Sequence, residues 1–332
     1  MAPEPPKRSP YEIGQRRRLK LRPPLHSSAG ASFRPERKTH LDKLAVASLV
    51  LCCFLWGLNQ VAVKAALPQV PPLWQAALRS LGAALLVFGW SRWRGIELFA
   101  RDHTLRGGLL AGGLFAVEFG CIFVGLQFTT ASRMAVFIYL SPFVVALGMP
   151  FIARSERLSA LQVAGLLIAF TGVAWAFAEG FTRPAAGALQ WLGDALGVAA
   201  AVLWGATTLT IRASPLGAAS AEKTLLYQLA ISGLALAGAA ALAGQPWAPV
   251  LSPLTWASLA FQMVVVSFAS YLLWFWLVRH YPATRLASFT LLTPVFGLLL
   301  GAALLAEPVT ARLLIALATV AAGIFLVNRK AA

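Results

Sequence analysis

Glu118 is the one carboxylate set well inside an apolar run of this sequence. On a helix at 1.5 Å per residue it lies seven residues, ~10 Å, from the outer end of its run. Arg79 lies about six residues below the outer end of the preceding run, and Lys64 and Arg133 sit nearer the outer ends of theirs. An ionisable group in hydrocarbon costs roughly 2.5–3.5 kcal/mol on insertion scales, so these four stand out as candidates for chemistry. A carboxylate at Glu118 can take an ammonium group or a coupling proton. A cation at Arg79 or Lys64 can take a carboxylate. The plainer alternative is an ion pair between Glu118 and one base, with Lys64 reaching for the interface.

Uncharged groups could complete such a site. Asn59, Gln60, Gln75, Gln228, Gln262 and Ser270 fall within or near the ends of apolar runs. Phe119, Tyr139, Tyr227, Tyr271, Trp274 and Phe289 could form an apolar wall, although lipid-facing and packing roles are open to them too. From these, the expected substrate-binding set is Glu118, Arg79, Asn59, Lys64, Tyr227, Gln228, Ser270 and Trp274. No catalytic residue is expected. His26, His40, His103 and His280 lie in the tail or in loops, and no zinc-protease, phosphate-loop or nucleophile-elbow motif occurs. Cys52, Cys53 and Cys121 have no metal or disulfide spacing and read as small core residues. No metal, cofactor or nucleic-acid partner is expected.

The elements that position these residues follow from composition. The 332 residues are 58% hydrophobic and 12% charged, with a mean hydropathy of +0.71. Soluble domains carry about 25% charged residues. Continuous apolar runs rich in Leu, Ala and Gly select membrane helices over barrel strands. Ten are expected: Leu44 to Ala66, Leu73 to Trp90, Leu105 to Gly125, Ala131 to Ile152, Ala160 to Phe177, Asp194 to Ile211, Thr224 to Gly244, Leu254 to Leu277, Ala283 to Leu305 and Ala311 to Val327. Eleven of the 28 basic residues fall in the first 43 positions. Residues 1–43 therefore read as a disordered basic cytoplasmic tail able to touch anionic lipid through Arg16, Arg17, Arg18 and Lys20. With that tail inside, twelve further bases fall in inner loops or the C-terminus, among them Arg92, Arg154, Arg157, Arg212, Lys223, Arg285, Arg329 and Lys330. Five remain toward the outside. Both termini are thus placed in the cytoplasm, in the cell inner membrane. Trp74, Trp90, Trp93, Trp191 and Trp247 fit interfacial belts.

The sequence also repeats itself. Residues 131–143, ASRMAVFIYLSPF, and 283–295, ATRLASFTLLTPV, share six identities, including Arg133/Arg285 and Pro142/Pro294. Trp56-Gly57 matches Trp204-Gly205, Lys64 matches Arg212, Glu156 matches Glu307, and Gly172 matches Gly323. The organisation is thus residues 44–178 and 193–328 as two five-helix repeats. An odd number of spans per repeat inverts the second, and inverted repeats place a substrate site between them at mid-membrane. Pro142 and Pro294 fall inside matched helices, and Gly108/Gly112 and Gly297/Gly301 permit close helix contact. Glu156 and Glu307 sit in matched turns, where a carboxylate suits a helix N-terminus.

These residues carry a resemblance. Trp56-Gly57-Leu58-Asn59 with Lys64, Pro71-Pro72 and Arg79, then Glu156-Arg157-Leu158-Ser159 and Gly165, resemble the first half of EamA-type members of the drug/metabolite transporter superfamily. Gly193-Asp194, Trp204, Thr293-Pro294 and Glu307-Pro308 resemble the second half, so the likeness spans residues 44–328. It departs at Thr207, opposite Asn59, and at Pro308, opposite Arg157. The resemblance implies an all-α integral membrane protein of ten helices in two inverted repeats around a central cavity. It also implies a small-molecule substrate. The expectation is a secondary transporter exporting amino acids or related metabolites, with possible proton coupling at Glu118. The alternative is a facilitator for sugars, nucleosides or phosphorylated metabolites. A membrane-embedded enzyme on lipid-linked substrates is more distant, because the three aspartates do not cluster. Solute, direction, coupling ion and oligomeric state are not legible.

Overall fold

A computed structural model describes residues 42–152, 159–184, 186–246, 250–281, 286, 289–290 and 292–328. Residues 1–41, Arg154, Glu156, Arg157, Trp247, Arg285, Arg329 and Lys330 lie outside the described residues, while the last two tail positions, Asp42 and Lys43, already cap and open the first helix. Among the described residues every regular element is helical. We number them α1 (Lys43–Ala66), α2 (Pro72–Trp93), α3 (Leu105–Gly125), α4 (Ala131–Ile138), α5 (Ser141–Ile152), α6 (Ala160–Thr182) and α7 (Gln190–Ala213). The series continues with α8 (Ala221–Leu242), α9 (Pro253–Ala260), α10 (Tyr271–His280), α11 (Leu292–Leu305) and α12 (Ala311–Asn328). A π-helical segment, Phe261–Ser270, joins α9 to α10.

Among the described residues, eight stretches are long and apolar enough to cross a membrane, counting Ala131–Ile152 and Pro253–Leu277 as one each. Two shorter apolar helices, Leu292–Leu305 and Ala311–Leu326, follow. Helix starts follow from local chemistry. Asp42, Thr130, Ser159, Ser220 and Ser252 each accept a hydrogen bond from an amide three residues on, and Gln162 completes a capping box with Ser159. Pro72 and Pro253 open their helices, where the missing amide costs nothing.

Two stretches depart from the continuous helices expected. The fourth breaks at Tyr139-Leu140, just ahead of Ser141-Pro142. Proline lacks the amide donor and disfavours α geometry in the residue before it. The matched Thr293-Pro294 likewise stands at the start of α11 rather than inside a helix. The second departure is the π segment, which no proline explains. The fifth and sixth stretches are also longer than expected. α6 runs on to Thr182 and α7 begins at Gln190, so Glu179 and Asp194 lie within helices.

Helix packing pairs the two halves. α6 lies on α12, α2 on α8, and α4 on α11. α1 packs on α11 as α7 packs on α4 and α5; α3 packs on α8 as α2 packs on the π segment; α1 packs on the π segment as α3 packs on α7. Exchanging the halves maps each of these contacts onto itself or another of the set. Small residues allow the approach. A Cβ on Gly57 would meet the Gly297 amide at 2.8 Å, and one on Gly193 the Thr129 amide at 2.7 Å. Both glycine pairs singled out in the sequence sit at such contacts: Gly108 and Gly112 against Tyr227 and Ile231 of α8, Gly297 and Gly301 against Ala135 and Ser132 of α4.

Charges fasten the two ends of the bundle. At one end, here the Asp102 end, Lys223 of α8 donates to both Asp102 oxygens at 2.8 and 2.9 Å and to the Ala100 carbonyl at 2.9 Å. At the same end the Tyr281 hydroxyl donates to Asp42. The opposite, Lys64 end carries a larger network described below.

The hydrogen bonds from Lys223 and Thr104 hold the exposed Asp102 carboxyl down to about 2. Its value in the unfolded chain is about 3.9. The native state therefore binds the proton less readily, and the stabilisation is present above about pH 4 and lost as pH falls toward 2. Asp102→Asn should lower the unfolding temperature in detergent at pH 7. The gap from the parent protein should close between about pH 4 and 2. A gap that stays constant across that window would exclude this role.

Candidate functional site

Arg79 is fully buried at the junction of α2, α3 and the π segment. Its Nε donates to the Ser267 hydroxyl and its Nη2 to the Tyr271 hydroxyl at 2.9 Å. The Phe119 ring lies under the guanidinium, 3.9 Å from its carbon to the ring centroid, with Phe123 beside it at 5.8 Å. This is a cation–π seat in a desolvated place. Nη1 has no partner. Ser267 and Tyr271 occupy the Nε side of the guanidinium and leave one end of its planar fork free. The widened turns of the π segment, with bonds from i to i+5, bring both hydroxyls onto one cation.

Glu118 is 4% exposed on α3, and its Oε2 also has no partner. It makes no ion pair with Arg79 among the described residues. The ion pair that the plainer reading expected is therefore not formed. One turn toward the Lys64 end, the Gln262 amide donates to Gln75 at 2.8 Å, leaving Gln75 Nε2 and Gln262 Oε1 unpartnered. Asn59 is buried on α1, and its Oδ1 is unpartnered as well. Buried polar atoms are nearly always bonded, so this accumulation of unpartnered atoms stands out.

An aromatic group stands beside it. The Trp56 indole donates to Ser270 at 2.9 Å, and Ser270 in turn donates to the Val266 carbonyl at 2.6 Å. Trp274 and Tyr271 meet Trp56 edge-on at 5.5 and 6.4 Å, and Tyr139 meets Trp204 edge-on at 5.9 Å. The structure thus brings Arg79, Ser270 and Trp274 into one neighbourhood, linked through Trp56 and Tyr271, with Glu118 next in sequence to the Phe119 that lies under Arg79. Gln228 is buried on α8, and Tyr227 stands against Gly108 of α3. Lys64 belongs elsewhere.

Lys64 joins an ion network at its own end of the bundle. Its ammonium donates to the Thr129 carbonyl and lies 3.9 Å from Glu307. Glu307 accepts from the Ala131 amide at 2.7 Å and from the Ser132 amide and hydroxyl at 2.9 and 2.7 Å. It therefore caps α4, in the other half of the chain, and not the helix that follows it. Arg133 on α4 donates to both Asp194 oxygens, to Glu179 at 3.0 Å and to the Ala176 carbonyl. Thr129 and Thr310 bond the two acids at 2.6 and 2.9 Å.

Sequence reasoning missed Glu179 and Asp194, because it ended one span before the first and began another at the second. The signal was available, since a buried arginine at 133 demanded a carboxylate. It also missed Ser267 and the π segment, for which the sequence carries no local signal.

The model of the EamA-like transporter family matches residues 43–178 and 191–329, one copy on each half. The chain belongs to the EamA-like transporter family. It is thus a multi-pass membrane protein of a family of transporters. Among relatives, an uncharacterized transporter, YvbV, of Bacillus subtilis is 29% identical over 85% of this chain and 90% of its own length. A probable amino-acid metabolite efflux pump of Salmonella typhimurium is 27% identical over 83% and 92%. The similarly described pump of Escherichia coli is 26% identical over 79% and 87%. A solved crystal structure, 18% identical, matches 86% of this chain and 97% of the other with a TM-score of 0.62, which shows the fold.

Removing one acceptor from the buried Arg79 leaves its cation short of a partner. Tyr271→Phe and Ser267→Ala should each cost about 1.5–3 kcal/mol of stability in detergent unfolding. Ser80→Ala, at a buried hydroxyl with no partner, should change it by less than about 0.5 kcal/mol. Equal effects at the three positions would remove the special role of the first two.

Proposed function

We propose that this EamA-family protein is a secondary transporter that exports amino acids or related small metabolites by alternating access. The observation that carries the reading is the pair Arg79 and Glu118. They are buried charges of opposite sign on the packed helices α2 and α3, Glu118 standing next in sequence to the Phe119 that lies under Arg79, and each keeps a polar atom free. A zwitterion supplies the missing partner to both. Its carboxylate would take the free Nη1 of Arg79, and its ammonium would take Oε2 of Glu118. Glu118 is also where a coupling proton would compete with the ammonium. Trp56, Trp274 and Ser270 would face the remainder of the solute, with Asn59 at the side toward Lys64. Tyr227 and Gln228 would contribute from α8. The names of the Salmonella and Escherichia relatives agree with this solute class.

The transport cycle follows from the halves. Taken with the two shorter helices, the eight long apolar stretches would give ten spans, five to each family match. The reciprocal packing of the halves supports an inverted relation between them, with the site in a cavity where they meet. The basic N-terminal segment places the Asp102 end in the cytoplasm and the Lys64 end outside, in the cell inner membrane.

Counterflow in proteoliposomes tests the reading. Saturable exchange of a group of labelled amino acids is expected, against sugars and nucleosides as controls. Glu118→Gln and Arg79→Lys should each lower kcat/KM by at least about tenfold, the loss of one charge-assisted contact. Exchange confined to sugars, nucleosides or phosphorylated metabolites would replace the amino-acid reading by the facilitator reading. Unchanged kinetics in a folded Glu118→Gln protein would remove that residue from the site.

A further inference from the structure

We infer that α4 is a hinged outer gate, latched shut here by carboxylates from the second half of the chain. The inference rests on the transport reading above, but its evidence lies in a different set of residues.

α4 is eight residues long, and all eight are buried. At one end it breaks from α5 at Tyr139-Leu140. At the other end its first turn is held from both halves: Thr130 caps it, and Glu179 and the Ala176 carbonyl of α6 bind Arg133 from the first half, while two carboxylates reach it from the second. Glu307 supplies three hydrogen bonds to Ala131 and Ser132, and Asp194 takes the side of the Arg133 guanidinium. Lys64, the member of the network that reaches solvent at 27% exposure, lies across Glu307. The Arg133–Asp194 pair is nearly dry, with side chains 4% and 0% exposed.

An ion network is a poor way to hold two halves together permanently. Packed apolar residues of similar volume often hold them as well or better, because burying the charges is costly. The same cost makes the network a good separable contact. When the face opens, each charge regains water, and the helix amides at Ala131 and Ser132 are solvated in place of Glu307. Closed and open states then differ by little free energy, as an alternating mechanism requires. An apolar seam would expose oily surface on every cycle.

The short helix also connects the latch to the site. Its far end carries Tyr139, packed edge-on against Trp204 of α7. Gly297 and Gly301 of α11 let α4 lie close, with Ser132 filling the space a Cβ on Gly301 would take. Movement of α4 as a unit about Tyr139-Leu140 therefore couples the aromatic group to Arg133 and Glu307, without unfolding either neighbour.

The test is a reversible lock across this contact. Ser132→Cys with Gly301→Cys, in a protein whose Cys52, Cys53 and Cys121 are replaced, places two thiols at the α4–α11 seam. Oxidation should lower counterflow by at least about tenfold and reductant should restore it, while neither single variant responds to oxidant. Full exchange with the disulfide shown to be formed would overturn the gate. Absence of exchange in the reduced protein and its parent alike would instead count against the transport reading. A second measurement needs neither disulfide nor solute. In Glu307→Gln, amide hydrogen exchange of peptides covering 129–138 should rise at least about tenfold, while peptides at Asp102 and Lys223 keep their protection. Unchanged protection of 129–138 in that folded variant would equally overturn the latch.

Discussion

Hydrocarbon supplies no hydrogen bonds, so each charge buried in this bundle must be answered by the protein itself or by a guest. The three aspartates of the sequence are each partnered, the exposed one in the α2–α3 loop as well as the two at helices. Asp42 caps α1, Asp102 receives Lys223, and Asp194 receives Arg133. Arg79 and Glu118 are not fully partnered. They lie on the packed helices α2 and α3 and leave Nη1 and Oε2 open. The apolar packing around them, Phe119 and Phe123 above all, makes that incompleteness costly and therefore informative.

The same constraint shapes the frame. Backbone groups are satisfied within helices, so the places where helices break stand out. One break precedes Ser141-Pro142, and α11 starts at the matched Thr293-Pro294. The π segment has no counterpart among the described residues of the first half. It carries Ser267 and is followed at once by Tyr271, the first residue of α10, and both bond the buried guanidinium. The two halves are thus alike in packing but unlike in polar chemistry. Glu118 is buried on α3 with an oxygen unpartnered, whereas Ser270, 152 residues on as Arg285 is from Arg133, serves Trp56.

Much of this was legible in the sequence. Apolar runs gave the helices, and the repeat gave the two halves to which the family model matches. Glu118 and Arg79 could be picked out because ionisable groups are rare inside such runs. Partnership was harder to read. Lys64 looked like a group reaching for the interface, yet it joins Thr129 and Glu307 from positions far along the chain. Glu307 was expected to cap a helix, but which helix depends on how the halves dock. Glu179 and Asp194 were hidden by span boundaries drawn a turn too short. The π segment could not be read at all, because the sequence carries no local signal for i to i+5 bonding.

The central claim is that opposite charges at Arg79 and Glu118 recognise the two charged ends of one small solute. Competition of a transported amino acid by its own derivatives tests this most directly. The parent amino acid should compete fully for counterflow, while its methyl ester and its N-acetyl derivative, each lacking one charge, should compete at least about tenfold less well. Equal competition by the ester and the parent compound would contradict the account, since Arg79 would then have no carboxylate to bind.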